Sequence, residues 1–552
     1  MKIGVRDLAL VLPIGILCGH MALFGSWIVD DAGISFAYAR NLGLGFGLVA
    51  QPGVPPVEGY SNPLWVLLLA PFFAMELFDP VLIPKALALV GLAAGFVAYY
   101  SVSKADIDGG RLVAVAGLSL AGLQSGLVIW CASGLENGLY VTLLLSLAVV
   151  ISAPRRERPF TSGILSAAVA LTRPEGIIFA LAYPICAVLN GTHGRAAASL
   201  SRYACGLVPP VSAYMLFRIS YFGDILPNTY YAKGRPIPGL LLELLTVDAP
   251  VLAKARDLVT ATLGATAGPY LLLLIVVGVL LARRQLRDSR LTQTILIFVG
   301  LSALTYLMLP ADWMMEYRFA SPFFLFFYLS VVHAAWFAMR AVVSRGNAGG
   351  LTEVGLARIR IAGFVAVVAI CAGLTISLTA PRSMAFARSP TISLDEVFET
   401  VQRFERLAQA ANIEHPSLLI ADVGAALLLG RIRIYDLGML TDRTIARALG
   451  EAMSRINRAS FHDYIFETAR PAFIATRAYH SWIARLDSDT RFRRDYVSIV
   501  EYRDEWIQKR YGVSLQSGDF IRKDALAGGG DEVLSRLREL VKGSHYVGCS
   551  VC

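Results

Sequence analysis

The membrane topology of the chain depends on residues 63–75, PLWVLLLAPFFAM. This apolar run is too short to be assigned by its length alone. A helix needs about 20 apolar residues to cross a bilayer. This run is shorter, begins at a proline and follows a loop rich in Gly and Pro. If it crosses, every later loop changes sides, so its placement sets the topology of the chain.

The chain as a whole has the composition of a polytopic membrane protein. Of its 552 residues, 56% are hydrophobic and 16% are charged, and the mean hydropathy is +0.58. These values exclude a soluble globular enzyme. The N-terminal apolar run, residues 8–29, has no small-residue cleavage site after it, and we interpret it as a retained transmembrane helix and not as a signal peptide. We predict about eleven spans, at residues 8–29, 84–102, 112–130, 137–153, 160–172, 177–190, 204–221, 268–282, 291–309, 321–339 and 361–380.

Basic residues in the short loops decide whether 63–75 crosses. If it does not cross, 17 Lys and Arg residues, Lys2 and Arg6 among them, fall on one side, as the positive-inside rule requires. We therefore predict an interfacial helix within a first outer loop of about residues 30–83. The net charge of +9 arises mostly in these loops, since residues 381–552 carry 24 Lys and Arg against 22 Asp and Glu. The charge thus reports topology and does not indicate a nucleic-acid partner.

Two domains are predicted. Residues 1–380 form an all-α transmembrane domain, and residues 381–552 form a mixed α/β domain on the outer side. In the second domain, a helix-like stretch at Leu394–Ala411 is followed by short apolar strands bounded by turns. The predicted strands are Ser417–Ala421, Ile432–Leu437 and Ala472–Ala475.

With this topology, polar residues from six segments reach the outer face. Ionisable residues at span ends are costly near lipid and usually line a cavity. They predict one polar, partly buried site facing away from the cytoplasm. Its members are Asp30, Asp31, Glu58, Asn62, Glu136, Arg173, Glu175, Asn228, Lys233, Asp312 and Arg318.

The adjacent acids Asp30 and Asp31 are the candidate catalytic residues. A carboxylate at the mouth of a cavity can act as a general base toward an acceptor hydroxyl, although a polar pair that merely ends a helix is an equal alternative. Neighbouring residues do not share a helix face, so only one of the two is expected to point at the substrate.

Several motifs combine acids, amides and aromatic rings, the mixture that binds sugars. The loop at 47–65 carries Glu58, Tyr60, Asn62 and Trp65, with a plain connector as the alternative. A further segment, 310–322, adds Asp312, Trp313 and Arg318. Glu136 is explained equally well as a helix-capping residue.

Cationic and tyrosine side chains form the candidate phosphate site. Arg173 and Glu175 flank Pro174, where an ion pair within the loop and an arginine that binds phosphate are both consistent with the sequence. Tyr230, Tyr231 and Lys233 lie just outside a span, where such residues anchor a helix or meet a lipid phosphate.

Other chemistries find no support. The chain has no Walker loop, and its seven His are scattered without metal-ligand spacing. Five cysteines lie in or beside apolar runs as ordinary core residues. The pair Cys549 and Cys552 fits a disulfide, or no role, better than a metal site.

Taken together, the motifs resemble those of the bacterial GT-C glycosyltransferases, in particular the family of the mycobacterial terminal β-(1→2)-arabinofuranosyltransferase. The resemblance runs from residue 30 to about 445 and is most specific in its first block, DD…YARNL…GLV…VEGY…NPLW, from Asp30 to Trp65. Further blocks are GLE (134–136), TRPEG (172–176), GD…PNTYYAK (223–233), DW…YRF (312–319) and IADVG (420–424).

This resemblance implies a polyprenyl-phosphate sugar donor and an outer loop whose acidic pair, here Asp30 and Asp31, supplies the catalytic base. Where relatives have Arg in the region of Ser35–Tyr38 and Phe-Asn before Pro-Gly, this chain has Phe36-Ala37 and Ala50-Gln51. These departures concern the identity of the sugar. We predict transfer of a sugar, arabinofuranose or another pentose, to a cell-envelope glycan outside the bacterial cytoplasmic membrane.

In this prediction Arg173, Tyr230, Tyr231, Lys233 and Arg318 bind the donor phosphate. The sugar and acceptor contacts are Arg40, Glu58, Tyr60, Asn62, Trp65, Glu136, Glu175, Asn228, Asp312 and Trp313. A lipid phosphate is a competent leaving group, so no nucleotide is needed, and participation of a divalent cation stays open. The alternative is a transporter or flippase of lipid-linked saccharides, but transporters place their ionisable groups near the midplane and not at one rim.

Overall fold

A computed structural model describes residues 5–153, 157–189, 196–234, 246, 248–261, 289–310, 312–345, 352–453, 456–526 and 530–542. Several predicted features lie outside these ranges: the run 268–282, the pair Cys549 and Cys552, and seven of the 17 basic residues assigned to one side of the membrane. Those seven are Lys2, Arg155, Arg156, Arg195, Arg283, Arg284 and Arg287.

The chain folds as two compact units. The helical unit consists of Met1–Trp27, Asp79–Met215 and Pro238–Thr391, and the sheet unit consists of Ile28–Phe78, Leu216–Ile237 and Ile392–Cys552. The predicted division at residue 380 refers to the membrane and stays a prediction. The compact units do not follow it, because residues 28–78 and 216–237 pack with the C-terminal part.

Apolar helices make up the helical unit. In chain order they are α1 (Val11–Ala22), α4 (Leu82–Asp106), α5 (Gly110–Gly122), α6 (Ser125–Cys131), α7 (Asn137–Ser152), α8 (Pro159–Thr172), α9 (Ala182–Leu189), α10 (Ala196–Phe222, which enters the sheet unit at Leu216), α12 (Arg290–Met308), α13 (Ser321–Arg345) and α14 (Glu353–Arg388). Residues 249–261 are also helical, and Val5–Leu10, Pro174–Leu181 and Arg318–Ala320 form 3₁₀ turns.

Within the described residues, four helices are long and apolar enough to cross a membrane: α4, α12, α13 extended to Arg318, and α14. The predicted run 112–130 is broken, since α5 and α6 meet at an angle of 75°; counted as one span they make five. Several other predicted spans are shorter apolar helices. The protein is thus a membrane protein, while the count of eleven and the orientation stay predictions.

The sheet unit begins with two helices of the predicted outer loop, α2 (Asp30–Gly43) and α3 (Pro63–Ala74). At 1.5 Å per residue, the 12 residues of α3 extend about 18 Å, well short of the roughly 30 Å of a hydrocarbon core. The predicted helix in 63–75 is therefore confirmed, and its length fits a segment that does not cross.

Helices and strands alternate through the rest of the sheet unit. They are α11 (Asn228–Lys233), α15 (Leu394–Ala410), β1 (Ser417–Ile420), α16 (Gly424–Leu429), β2 (Arg433–Asp436), α17 (Arg443–Leu449), α18 (Arg458–Asp463), β3 (Phe473–Thr476), α19 (Ala478–Ala484), α20 (Thr490–Asp495), β4 (Tyr496–Arg503), α21 (Glu505–Tyr511), β5 (Gln516–Arg522) and α22 (Gly530–Val541). A π-helical turn covers Tyr464–Ala469, and Leu486–Ser488 and Lys523–Leu526 are 3₁₀ turns.

A five-stranded mixed sheet, in the order β2-β1-β3-β5-β4, organises this unit. Strand β1 pairs in parallel with β2 and β3, whereas β5 pairs antiparallel with β3 and β4. The three predicted strands are confirmed to within about a residue or two at each end, and β4 and β5 are additional. All four residues of β3 are buried, so the core lies around the centre of the sheet.

The predicted helix at Leu394–Ala411 is also confirmed. Helix α15 begins with a capping box, in which Glu396 N donates to Ser393 Oγ (3.2 Å) and Ser393 N donates to Glu396 Oε2 (2.8 Å). Its buried residues Val397, Val401 and Phe404 recur at a spacing of three and four, the signature of an amphipathic helix. Ser393 also bridges Val29 in antiparallel fashion and thereby joins the start of α15 to the start of α2.

Candidate active site

Asp30 is buried, and both of its side-chain oxygens are bonded to the backbone. Its carboxylate accepts two backbone hydrogen bonds at the start of α16, from Gly424 N to Oδ2 (2.9 Å) and from Ala425 N to Oδ1 (2.8 Å). The side chain is 2% exposed. Burial and the nearby Asp422 raise the pKa of Asp30 well above its usual range, although the two N–H donors oppose the shift.

The backbone around Asp30 is packed too closely for any side chain at the facing position. A Cβ on Gly424 would lie 1.7 Å from the Asp30 carbonyl oxygen, and a Cβ on Gly33 would lie 2.5 Å from the Gly424 carbonyl carbon. Two glycines therefore let α2 and the turn after β1 touch through their backbones.

Asp31 has different surroundings. It is half-buried and interacts electrostatically with both Asp30 and Asp422. As the adjacent residue on α2, it points about 100° away from Asp30 around the helix axis. The two acids thus differ in burial, and which of them points at the substrate stays a prediction.

Glu58 and Asn228 make internal contacts. Glu58 (3% exposed) forms a two-pronged ion pair with Arg218 (9% exposed), with Arg218 Nε at 2.5 Å from Oε2 and Nη2 at 3.1 Å from Oε1. Asn228 Nδ2 donates to the carbonyls of Met439 (3.0 Å) and Leu440 (2.8 Å). Both side chains hold loops of the sheet unit in place.

The remaining candidates from the outer loop are likewise tied into the sheet unit. Asn62 and Ser35 exchange side-chain hydrogen bonds (3.0 and 3.1 Å), and Arg40 donates to the carbonyl of Leu428. Tyr60 stacks edge-on against Tyr38 with ring centroids 4.8 Å apart, and Trp65 is buried. These contacts shape the loop.

The segment 222–234 presents cations and tyrosines. Asp224 pairs with Arg447 (2.6 Å) and Arg443 (3.0 Å), and the Arg447 guanidinium lies 3.4 Å from the centroid of the Tyr231 ring. Tyr230 is half-buried and Lys233 is exposed. Lys233 lies in electrostatic range of Asp422 and His480.

Six predicted site residues belong to the helical unit. Arg173 bonds Glu136 (Nη1 to Oε1, 2.5 Å) and Glu175, which confirms the ion pair within the loop and extends it to a third residue. Arg318 pairs with Asp312 (2.9 Å) and is 4.6 Å from the Phe319 ring centroid. Trp313 is 43% exposed. In the sheet unit lie Asp30, Asp31, Arg40, Glu58, Tyr60, Asn62, Trp65, Asn228, Tyr230, Tyr231 and Lys233.

Two further charged residues, Asp422 near Asp31 and Arg477 near Asp422, were given no role by the sequence interpretation. Asp422 follows β1 and Arg477 follows β3, both half-buried. Burial raises the pKa of Asp422; Arg477 and Lys233 oppose the shift, and Asp31 adds to it. A signal was present, because polar residues directly after buried parallel strands collect at one edge of a sheet. In the part of the chain that the structure describes, no group of three or more His, Cys, Asp or Glu side chains could hold a metal ion.

The comparisons with known proteins show that the chain resembles the GT-C superfamily of membrane glycosyltransferases. Solved structures of ArnT from Cupriavidus metallidurans share the fold. The apo structure superposes with a TM-score of 0.54 at 14% identity over 92% of this chain and 97% of ArnT. The structure bound to undecaprenyl phosphate gives 0.50 at 12% identity, over 94% and 98%.

Sequence similarity covers a smaller part. The chain is 30% identical over 247 residues to the terminal β-(1→2)-arabinofuranosyltransferase of Mycobacterium tuberculosis, which is 40% of this chain and 37% of that protein. The match thus spans a little over a third of the length of the curated relative. No protein-family model matches the chain.

Proposed function

We propose that this protein is an integral membrane glycosyltransferase that moves a pentose, such as arabinofuranose, from a polyprenyl phosphate to a cell-envelope glycan on the extracytoplasmic face. The ArnT relative is bound to undecaprenyl phosphate, and the mycobacterial relative is an arabinofuranosyltransferase by name. These support the donor class and the sugar class, respectively.

The observation that carries the proposal is the unequal environment of the acidic pair. Both oxygens of Asp30 are occupied by backbone N–H groups, whereas Asp31 is half-buried beside a second polar group, Asp422. A general base needs an oxygen that reaches the acceptor hydroxyl. We therefore assign the base to Asp31, and to Asp30 the task of fixing the start of α2.

In the proposed reaction, Asp31 takes the proton of the acceptor hydroxyl while the hydroxyl oxygen bonds to the anomeric carbon of the donor sugar. The bond from that carbon to the phosphate oxygen breaks, and its electron pair leaves with the polyprenyl phosphate. Negative charge grows on the leaving phosphate, so cations such as Lys233 stabilise the transition state.

The buried contacts divide the other candidates into two groups. Glu58, Asn62 and Asn228 hold loops through bonds inside the sheet unit, so we propose that they act by positioning. Arg173 already balances two carboxylates, which favours a structural role over that of a main phosphate ligand. Lys233 and Tyr230, at the surface of the sheet unit, are the better candidates for contact with the donor.

The test is sugar transfer from a polyprenyl-phosphate arabinofuranose to an envelope-glycan acceptor by purified protein in nanodiscs. Asp31→Asn should lower kcat about 10²- to 10⁴-fold, the usual contribution of a general base, with an unchanged melting temperature. Asp30→Asn should lower both activity and melting temperature, because an amide nitrogen cannot accept the second N–H.

Asp395→Asn is the matched control, since Asp395 is an exposed acid in the first turn of α15. It should leave kcat and melting temperature unchanged. Full activity of Asp31→Asn would refute the assignment of the base. Movement of the lipid-linked sugar across proteoliposomes by wild-type protein that performs no transfer would instead identify a flippase.

A further inference from the structure

The topology of the sheet creates a crevice between β1 and β3. Strand β2 lies on one side of β1 and β3 on the other, and the three strands are parallel. The chain therefore leaves β1 and β3 in opposite directions at their carboxyl ends. Such a switch point is where open sheets with parallel strands bind their ligands.

The ends of these strands place two charged residues at this crevice. Asp422 is the second residue after β1, and Arg477 directly follows β3. The two side chains interact electrostatically, so a carboxylate and a guanidinium lie at the same edge of the sheet. Both are half-buried.

Part of the crevice is already occupied. The position that an anion takes at the start of the helix after β1 is filled by the Asp30 carboxylate, through Gly424 N and Ala425 N. Asp31 also interacts electrostatically with Asp422, so Asp31, Asp422 and Arg477 form one charged cluster.

Hydrogen bonds made by neighbouring residues position Lys233 near this charged cluster. Glu451 N donates to the carbonyl of Ala232 (2.9 Å), and Tyr479 Oη donates to Glu451 Oε1 (3.3 Å). These bonds tie the end of α11 to α19, the helix directly after Arg477. Lys233 and His480, each next to a tied residue, interact electrostatically.

The backbone beside Arg477 is strained. Ala478 has a φ of +44°, in the left-handed region that side chains disfavour, and its N–H donates to Asp504 Oδ2 (2.8 Å). Strained residues cluster at ligand sites, where the surrounding structure over-determines them. Here the strain fixes the direction in which the chain leaves Arg477.

We propose that Arg477 binds the phosphate of the lipid donor together with Lys233, and that Asp422 positions these two cations. The inference rests on the proposed function and deepens it, adding a ligand from the C-terminal sheet to those expected from the outer loop. The ligand chemistry is a polyprenyl phosphate, which is a diester in the sugar donor and a monoester once the sugar has left. When the sugar departs, the phosphate keeps the electron pair of the broken bond, and two cations stabilise that charge.

The test measures binding of undecaprenyl phosphate to the purified full chain in nanodiscs, without sugar. Arg477→Gln should weaken binding at least tenfold, and Arg477→Lys should recover part of it. Asp422→Asn should tighten binding, because a competing anion is removed, yet lower kcat, because the cations lose their orientation. A general loss of structure would weaken binding in both Gln and Asn variants, and that result would overturn the proposal.

Matched probes and a control separate the sources of phosphate. Undecaprenol, which lacks the phosphate, should bind equally to wild type and Arg477→Gln. Arg503→Gln, at the exposed end of β4, should behave as wild type. Inorganic phosphate that binds as tightly as the lipid and depends on Arg477 would overturn the assignment to a lipid donor.

The readouts also distinguish this proposal from the proposed function. Wild-type protein that binds undecaprenyl phosphate in an Arg477-dependent way but transfers no sugar refutes the transferase and retains the phosphate site. Active transferase whose binding is the same in wild type and Arg477→Gln refutes the phosphate site alone.

Discussion

At the scale of single residues, the fold separates two acids that the sequence presents as equals. Asp30 is enclosed by backbone donors from a turn 394 positions away, whereas its neighbour keeps partial access to solvent. A helix turns about 100° per residue, so one residue can be structural while the next is chemical. The positions of the two acids in the chain therefore do not indicate which carboxylate is the better candidate for the general base.

The contact between Gly424 and Asp30 gives a first prediction. Gly424→Ala should abolish transfer and destabilise the protein by about 1–3 kcal/mol, because the added Cβ would lie 1.7 Å from the Asp30 carbonyl oxygen. Thermal unfolding and transfer assays check this. Gly530→Ala, where an added Cβ meets nothing within 4 Å, serves as the control and should match wild type.

Asp436 gives a second prediction, about pH. Its Oδ2 accepts from Leu440 N and Thr441 N (2.9 and 2.7 Å), while Oδ1, among the residues that the structure describes, has no hydrogen-bond partner. Burial raises the pKa of Asp436 from 3.8 to about 6. The folded protein therefore holds this proton more tightly than the unfolded chain does.

The stabilisation from this proton is complete below pH 3.8 and is lost as the pH rises through about 6. Ionised Asp436 should then cost about 3 kcal/mol, at 1.36 kcal/mol per pKa unit. Asp436→Asn should be more stable than wild type at pH 8, with a smaller difference at pH 4.5. A difference in melting temperature that stays constant with pH would contradict this.

At the scale of elements, buried polar pairs join segments that hydrophobic patterns treat separately. The pair between Glu58 and Arg218 links the loop before α3 to the end of α10. Removing one partner of such a pair leaves a buried charge, which is usually far more costly than removing both.

A double-mutant cycle on this pair is the third prediction. Arg218→Met should destabilise the protein by about 3–5 kcal/mol, whereas Glu58→Leu combined with Arg218→Met should recover most of that loss. Arg431→Met, which breaks the exposed pair with Glu405 (3.5 Å), should cost less than about 1 kcal/mol. Equal losses for the single and double variants would mean that the pair is solvated.

Local patterns predicted some elements well and others not at all. Strands β1, β2 and β3 are short apolar runs between turns, and α15 has a capping signal and an amphipathic repeat, so each was visible in sequence. Strands β4 and β5 were not predicted. In β4 only Tyr496 and Ile499 are buried, and the other positions are half-buried or exposed, so its sequence lacks an apolar run. The break between α5 and α6 falls at residues 122–126, GLQSG, where glycines and polar residues interrupt the apolar run that was predicted as one span.

The membership of the site stays a prediction, and the structure shows which of the predicted residues lie in the same compact unit. Charge and motif order identified Asp30, Asp31 and Lys233, which the structure brings into one unit. The contact of Asp30 with the turn after β1 joins residues almost 400 positions apart and follows from no local pattern. Asp422 and Arg477 are recognised as neighbours only when the strand order is known, because β1 and β3 are adjacent parallel strands.

At the scale of the whole molecule, the apolar helices and the fold shared with ArnT make this a membrane protein, and the positive-inside pattern predicts its orientation. The predicted outer side carries the sheet unit. The predicted inner side carries the loop around residue 157.

Cysteine labelling in intact cells is the fourth prediction. In a background with Cys205, Cys549 and Cys552 replaced by Ser, Asp395→Cys should react with a membrane-impermeant maleimide. Glu157→Cys, also at an exposed position, should react only after lysis. The reverse pattern would invert the topology.

The antiparallel bridge between Val29 and Ser393, with the close backbone approach of Gly33 to Gly424, bears on how such proteins diverge. Residues 28–78 and the segment that begins at residue 392 belong to one compact unit. Recombination that exchanges only the second of these segments between relatives would separate Gly33 from Gly424, whose backbones are in direct contact. Substitutions at these two regions should therefore be inherited together.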